Sequence, residues 1–318
     1  LQAQTRYHPD AEQLALAGTI EESLDSLVPV ARLHSSHEES ADAWASLRDL
    51  GVFGISVDEA QGGSGLGAVE EALIVMGLGR RLVSPAVLAT IGAGPALVAT
   101  GNADKNVAAA YRRGQRTVMV EESQASVILV RDGDRAALYE RERAQSRSID
   151  RRLWLAGLSE IETPRDLIAE LDARDLLRLR LIDAAALAGM AAAALDMAVA
   201  YAGIREQFGR PIGTFQAIKH HCANMAMAAR CARDQTSFAA VALDDDRDDA
   251  ALQVECALLV AGQAALDNAG TNIQIHGGIG FSDEADPHLF LKRAQLQLAI
   301  AGGLEATNER IVDLPANW

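Results

Sequence analysis

From about Asp175 to about Val312 the apolar residues of this chain recur at helical spacing with few interruptions. One run reaches Ile204, crossed by nothing stronger than Gly189. A second spans about Thr214 to Leu243, a third about Ala250 to Asn272, and a fourth about His288 to Val312. Helices of this length hide their apolar stripes only against one another, so residues 173–318 are expected to form an up-and-down four-helix bundle. The acidic turn Asp244 to Asp249, between the second and third runs, reads as solvated. Aromatic residues make up only 4% of the chain while alanine and leucine dominate, which favours helix because both lose little in that backbone. The fold class expected is mainly α.

Residues 10–28 and 38–50 read as amphipathic helices, the second carrying Ala43, Trp44, Leu47 and Leu50 on one side and closed by Gly51. The glycine run Gln61 to Gly67 lacks the preceding strand and the following lysine of a nucleotide-binding loop. A helix over Ala68 to Arg81 follows. Ser84-Pro85 separates it from another over Val87 to Thr100, with a kink or break expected at Pro95. Residues 116 to about 160 change character: β-branched residues gather before and after Ser126, and Asp132-Gly133 suits a hairpin turn. A small sheet is expected over 116–172, between an N-terminal helical domain at 1–115 and the bundle, with Thr163-Pro164 marking the next helix start.

A chain of 318 residues is long enough for more than one packed unit. Its net charge of −15 and pI near 4.9 argue against a nucleic-acid partner, which needs a concentrated basic face. No apolar run of membrane-spanning length is read, nor the apolar core of a signal peptide in the first residues, so a soluble cytoplasmic protein is expected. Cys222, Cys231 and Cys256 lie in apolar helical patterns, as buried reduced thiols would. Neither they nor His220-His221 show metal-ligand spacing.

Two motifs carry chemistry. Tyr201 to Gln216 places Arg205 before a stretch broken by Gly209, Pro211 and Gly213, and then Phe215 and Gln216 where a helix begins. Gln274 to Phe281 contains Gly277-Gly278. A guanidinium offers paired planar donors, and paired glycines expose backbone N–H groups, so the combination suits a pyrophosphate. Arg-x-x-Phe-Gly-x-x-Ile-x-x-Phe-Gln followed by Gln-Ile-x-Gly-Gly-x-Gly-Phe at this separation resembles the C-terminal domain of acyl-CoA dehydrogenases. The stretch from Val52 to Gly67 and the helix after it resemble their N-terminal domain. The resemblance covers about the first 115 and the last 145 residues. It implies that Arg205, Phe208, Ile212, Phe215, Gln216, Gln274, Gly277 and Gly278 surround the adenosine and pyrophosphate end of FAD across a subunit boundary. It also implies an acyl-CoA substrate and an electron-transfer flavoprotein as redox partner.

The chain departs from the family where the chemistry is done. The family's catalytic glutamate stands at one of two positions, and here those are Leu179 and Ala301. The nearest acids are Asp175 and Asp183 around the first, and Glu305 and Glu309 beyond the second. Glu284 and Asp286 read as capping groups or as partners of Lys292 or Arg293. The segment available for the β-domain is barely half the family's length, and Trp154, without the family's hydroxyl beside it, reads as core filler. The resemblance therefore points to the non-catalytic subunit of a heteromeric (α2β2) acyl-CoA dehydrogenase, acting with a base-bearing partner on CoA thioesters such as those of steroid side chains. Two alternatives are a self-sufficient homotetramer using Glu305 as base, and a flavin-free assembly protein.

Overall fold

A computed structural model describes residues 8–120, 122–141, 146–150, 155–162 and 164–314; Trp154 lies outside them. Four helices open the chain: α1 (Ala11–Leu27), α2 (Ala41–Asp49), α3 (Ala68–Arg80) and α4 (Pro85–Ala99). Local chemistry sets their ends. Asp10 and Gln13 form a reciprocal capping box on α1, Ser40 Oγ accepts from Ala43 N on α2, and Gly51 takes φ +75° after it. At α3 the anion at the helix N-terminus comes from far along the chain. Asp244 accepts from Ala68 N at 2.7 Å and from Val69 N at 3.1 Å, favoured by the helix dipole. A Cβ on Gly67 would lie 2.5 Å from that carboxylate, so the last glycine of the run makes room for it. Asp244 is thus a cap and not part of a solvated turn.

The sheet has seven strands: β1 (Asn106–Arg113), β2 (Arg116–Val120), β3 (Ala125–Asp132), β4 (Arg135–Glu140), β5 (Ser146–Asp150), β6 (Leu158–Ile161) and β7 (Leu167–Glu170). Their order is β5-β6-β2-β1-β3-β4-β7, with β1 and β3 parallel and the remaining pairs antiparallel. Asp132 pairs with Arg135 across the hairpin turn at Gly133. The sheet starts at Asn106, inside the segment expected to belong to the helical domain: Thr90 of α4 accepts from Val107 N and fastens the first strand to that helix. Pro164 precedes an extended segment rather than a helix, because β7 completes the sheet edge beside β4. The next helix begins only at Ala173, where Asp172 caps it.

Helices α5 (Ala173–Ile204), α6 (Gln216–Asp244) and α7 (Ala250–His276) run up, down and up, followed by α8 (Pro287–Ile300) and α9 (Gly303–Asp313). The expected fourth long helix is two, since Gly302 and Gly303 sit at φ +96° and +89°, which no right-handed helix contains. By length and composition, α5 and the stretch Ala250–Phe281 are apolar enough to cross a membrane, contrary to the expectation above. In α5 most of that surface is buried inside the protein. Cys231 is exposed and the other two thiols are half-buried, so none is a core residue: their helix faces lie toward the rim of the bundle.

α5 is the axis of the fold. It crosses α3 at a glycine pair: a Cβ on Gly189 would meet Met76 O at 2.1 Å, and one on Gly79 would meet Ala186 O at 2.2 Å. Beside this crossing Arg178 grips Glu71 of α3 through two hydrogen bonds of 2.7 and 3.0 Å, both side chains being buried. The same guanidinium donates to Ile91 O at 2.8 Å. Ile91 is the residue whose carbonyl loses its helical donor to Pro95, so α4 continues through the proline instead of breaking. Arg178→Met is expected to lower the unfolding free energy by about 3–5 kcal/mol, since it leaves a buried carboxylate without its cation and with only Ser56 Oγ donating to it. In a Pro95→Ala background the cost is expected to fall by about 1 kcal/mol, because the substituted alanine would restore an N–H to that carbonyl. Urea unfolding of the four proteins measures this, and an equal cost in both backgrounds would show that Arg178 does not serve Ile91.

Candidate cofactor site

The up-down-up course of α5, α6 and α7 puts the C-termini of α5 and α7 and the N-terminus of α6 at one end of the bundle. α5 stops because Arg205 turns to extended backbone (ψ 123°). A two-residue turn follows, Phe208 and Gly209 at φ +52° and +77°, pairing Glu206–Gln207 with Arg210–Pro211. Both central residues at positive φ give the twist a tight hairpin needs, and for Phe208 that conformation is strained. Ile212 N donates to Arg205 O at 2.7 Å and closes the loop. The Ile212 side chain is buried with Ala198, Ala202, Met225 and Ile275 and anchors the hairpin to the bundle.

Phe215 precedes α6 without any side-chain cap, so the first-turn N–H groups of that helix face outward with their positive dipole end. Phe208 stands edge-on to Phe215 at 6.1 Å between ring centres, and the Arg210 guanidinium lies 4.3 Å over the Phe215 ring. Arg205 and Gln216 are exposed. On the second motif Gln274 is exposed, while neighbouring Ile275 is buried. Gly277 and Gly278 are exposed, and a Cβ built on either meets nothing within 4 Å, so a ligand can approach their backbone. The two motifs are joined by Tyr201 and His276, whose rings stack at 4.0 Å and 22°. His276 Nδ1 lies 2.9 Å from Asn272 O, and burial holds the imidazole below its ordinary pKa. This stack and Arg210 were missed in the sequence, although Tyr201 and His276 lie inside the two motifs.

All eight residues named from the sequence therefore lie at the same end of the bundle, seven around an exposed surface and Ile212 beneath it. The surface is also apolar: Ile204 is 79% exposed, Phe208 92% and Phe281 73%. Large apolar side chains exposed at one end of the bundle suit a surface that is covered in an assembly. Arginine donors, an open helix N-terminus and unobstructed glycine backbone fit the pyrophosphate end of a dinucleotide.

The positions of the missing base are different in kind. Leu179 is 2% exposed, packs with Ala89, Ala93, Leu296 and Ile300, and reaches so close to Gly92 that a Cβ there would lie 2.2 Å from its Cδ2. The remaining slot, between Leu88, Leu129, Leu179 and Ile300, has a volume of about 10 Å³, hardly room for one water. Ala301 is buried at the end of α8. Asp183, one turn past Leu179, is fully buried, with Arg131 Nη1 2.6 Å away and Gln297 donating to it at 2.7 Å. Burial pushes its carboxyl up from the usual range against the pull of both partners. Asp175 lies half-buried in the first turn of α5, its carboxyl raised by burial and by Asp172. Glu305 and Glu309 are exposed on α9, past the glycine break. Asp286 meets His34 at 2.6 Å, not Lys292 or Arg293, because it sits before α8 facing the N-terminal segment. Among the described residues no cluster of three or more metal-ligating side chains occurs.

The chain matches the acyl-CoA dehydrogenase N-terminal domain over residues 10–106 and the acyl-CoA dehydrogenase C-terminal domain over 171–313. Acyl-CoA dehydrogenase FadE34 of Mycobacterium tuberculosis is 33% identical over 290 residues, which is 81% of this chain and 40% of that protein. The chain thus spans only two fifths of that relative's length. Acyl-CoA dehydrogenase IpdE2 of the same organism is 31% identical over 254 residues, 77% of each chain. Among solved structures, a chain of the ChsE4-ChsE5 complex from Mycobacterium tuberculosis superposes with a TM-score of 0.76 at 21% identity, over 98% of this chain and 100% of that one. That likeness speaks for the fold. Sequence matches at both ends of the chain, and the helix–sheet–helix architecture between them, place this protein in the acyl-CoA dehydrogenase family, whose members typically bind FAD.

Proposed function

We propose that this chain is the base-lacking subunit of a heteromeric FAD-dependent acyl-CoA dehydrogenase. It lends the Arg205 and Gln274 surfaces to the adenosine and pyrophosphate end of a cofactor whose ring is seated in a base-bearing partner. One observation supports the reading: the end of the bundle that carries Arg205 and Gly277-Gly278 is open, while the position that would hold a base is filled by Leu179 in a closed slot.

Forming an α,β-enoyl thioester requires a carboxylate at the α carbon, within hydrogen-bonding reach of the proton it removes. When bound, FAD supplies the acceptor for the hydride that leaves the β carbon. Neither base position of this chain holds an acid. Asp183 is committed to Arg131 and Gln297, and Glu305 stands in solvent on a separate helix. What the chain's own residues can do is bind and orient. Arg205 offers charge-assisted donors, the open α6 N-terminus adds its dipole, and Phe208 and Phe215 give an apolar edge. The exposed Ile204, Phe208 and Phe281 suit coverage by the partner. Steroid side-chain thioesters are the substrate class we carry forward from the family resemblance. The closed slot here gives them no room, so discrimination among thioesters falls to the partner.

Purified alone, the chain is expected to carry no flavin absorbance and to reduce no artificial electron acceptor with acyl-CoA; flavin together with turnover from the lone chain would overturn the proposal. In a co-purified complex, Arg205→Ala is expected to weaken flavin retention by about 10- to 100-fold, the worth of a charge-assisted hydrogen bond. Unchanged retention would remove this surface from the cofactor site. Leu179→Glu tests the closed slot from the other direction. It is expected to destabilise the chain by about 3 kcal/mol or more in urea unfolding, since a carboxylate there is buried in a mostly apolar slot beside Asp183, which already engages Arg131 and Gln297, and to give no turnover.

A further inference from the structure

The connection from β2 to β3 holds a carboxyl group with too few partners to be a carboxylate. Glu122 is 1% exposed, and its Oε2 atom meets no hydrogen-bond partner among the described residues. Its Oε1 accepts one backbone N–H, that of Gln124, at 3.2 Å. An ionised carboxylate has room for about four hydrogen bonds and none to give, whereas the protonated acid also carries a donor. Burial with a single long bond therefore favours the neutral form. Arg141, the neighbouring cation, directs its Nη1 to the Glu122 and Ala125 carbonyl oxygens and not to the carboxyl group.

The N-terminal segment brings like charge to the same place. Glu38 and Glu39 stand just before α2, and Glu38 Oε2 accepts from Ser123 N at 2.8 Å, which seats its carboxylate on the residue next to Glu122. Glu39 is engaged elsewhere: Arg32 donates to both of its oxygens at 2.6 Å, and Ser84 N donates to one of them at 2.9 Å. We propose that Glu122 carries a proton that it shares with the Glu38 carboxylate, forming a pH-sensitive clasp between the sheet and the N-terminal segment. Burial, with the charges of Glu38 and Glu39, pushes the Glu122 carboxyl up to about 7 against the pull of Gln124 N and Arg141. A carboxyl raised above its ordinary value of 4.5 adds stability that is complete below that value and is lost as the pH rises through about 7. The clasp is thus closed in mild acid and released in mild alkali, and it is independent of the chain's cofactor role.

In infrared spectra of the full chain, the difference between about pH 6 and about pH 8 is expected to contain a protonated-carboxyl stretch that is lost with a midpoint near 7 and is missing in Glu122→Gln. Glu38→Gln is expected to lower that midpoint by about half a pH unit or more, because it removes a like charge and the acceptor of the shared proton. In thermal unfolding, the Tm of Glu122→Gln relative to the wild type is expected to rise by about 2 °C or more between about pH 5 and about pH 8. A wild-type chain without the protonated-carboxyl band near pH 6 would overturn the proposal. So would a midpoint that Glu38→Gln leaves in place, or Tm curves of wild type and Glu122→Gln that stay parallel over this range. If Glu122→Gln fails to fold, the infrared titrations of the wild type and Glu38→Gln decide.

Discussion

The Arg178–Glu71 pair is the contact on which the arrangement of this molecule turns. The two residues stand 107 positions apart, on α5 and α3, and are held by two hydrogen bonds in the interior. A buried ion pair is weak evidence for net stability, since desolvation offsets much of the attraction, but it strongly prefers one geometry over others. Here it sets the rotation of α5 about its axis, and Ser56 Oγ and the Ile91 carbonyl tie two further segments to the same point. The glycine crossing of Gly79 and Gly189 then brings the two backbones into contact.

That rotation has a functional consequence one residue later. With Arg178 turned toward α3 and α4, Leu179 points into the slot between α4, α8 and the sheet and closes it against Gly92. At the opposite end of α5 the helix finishes in an open hairpin whose arginine and aromatic residues face solvent. One helix thus carries a closed end at Leu179 and an open end at Arg205. The Tyr201–His276 stack ties that open end to the glycine loop of α7, so the two motifs form one surface rather than two adjacent loops.

The parts legible in the sequence were those written in short-range pattern. Helical spacing located α5, α6 and α7 to within a few residues, and the two glycine-broken stretches Arg205 to Gln216 and Gln274 to Gly278 stood out by residue type before the fold brought them to one end of the bundle. What stayed hidden depends on partners distant in the chain. Pro95 looked like a helix break because its rescuer, Arg178, lies 83 residues further on. The acidic run looked solvated because the helix that Asp244 caps starts 176 residues earlier. Gly189 looked like a mild interruption until Met76 O was found against it. The break at Gly302-Gly303 had a local signal in its paired glycines, and helical periodicity on either side outweighed it.

A chain that supplies only the tail half of a cofactor site predicts a stoichiometry. The direct measurement is the flavin content of the co-purified complex, from absorbance, against the amounts of the two chains determined by amino-acid analysis. The account predicts one FAD for each pair of this chain and its partner, because the ring can be seated only in the subunit that holds the base. Two FAD per pair would contradict it, since this chain would then seat a cofactor of its own despite the slot that Leu179 closes.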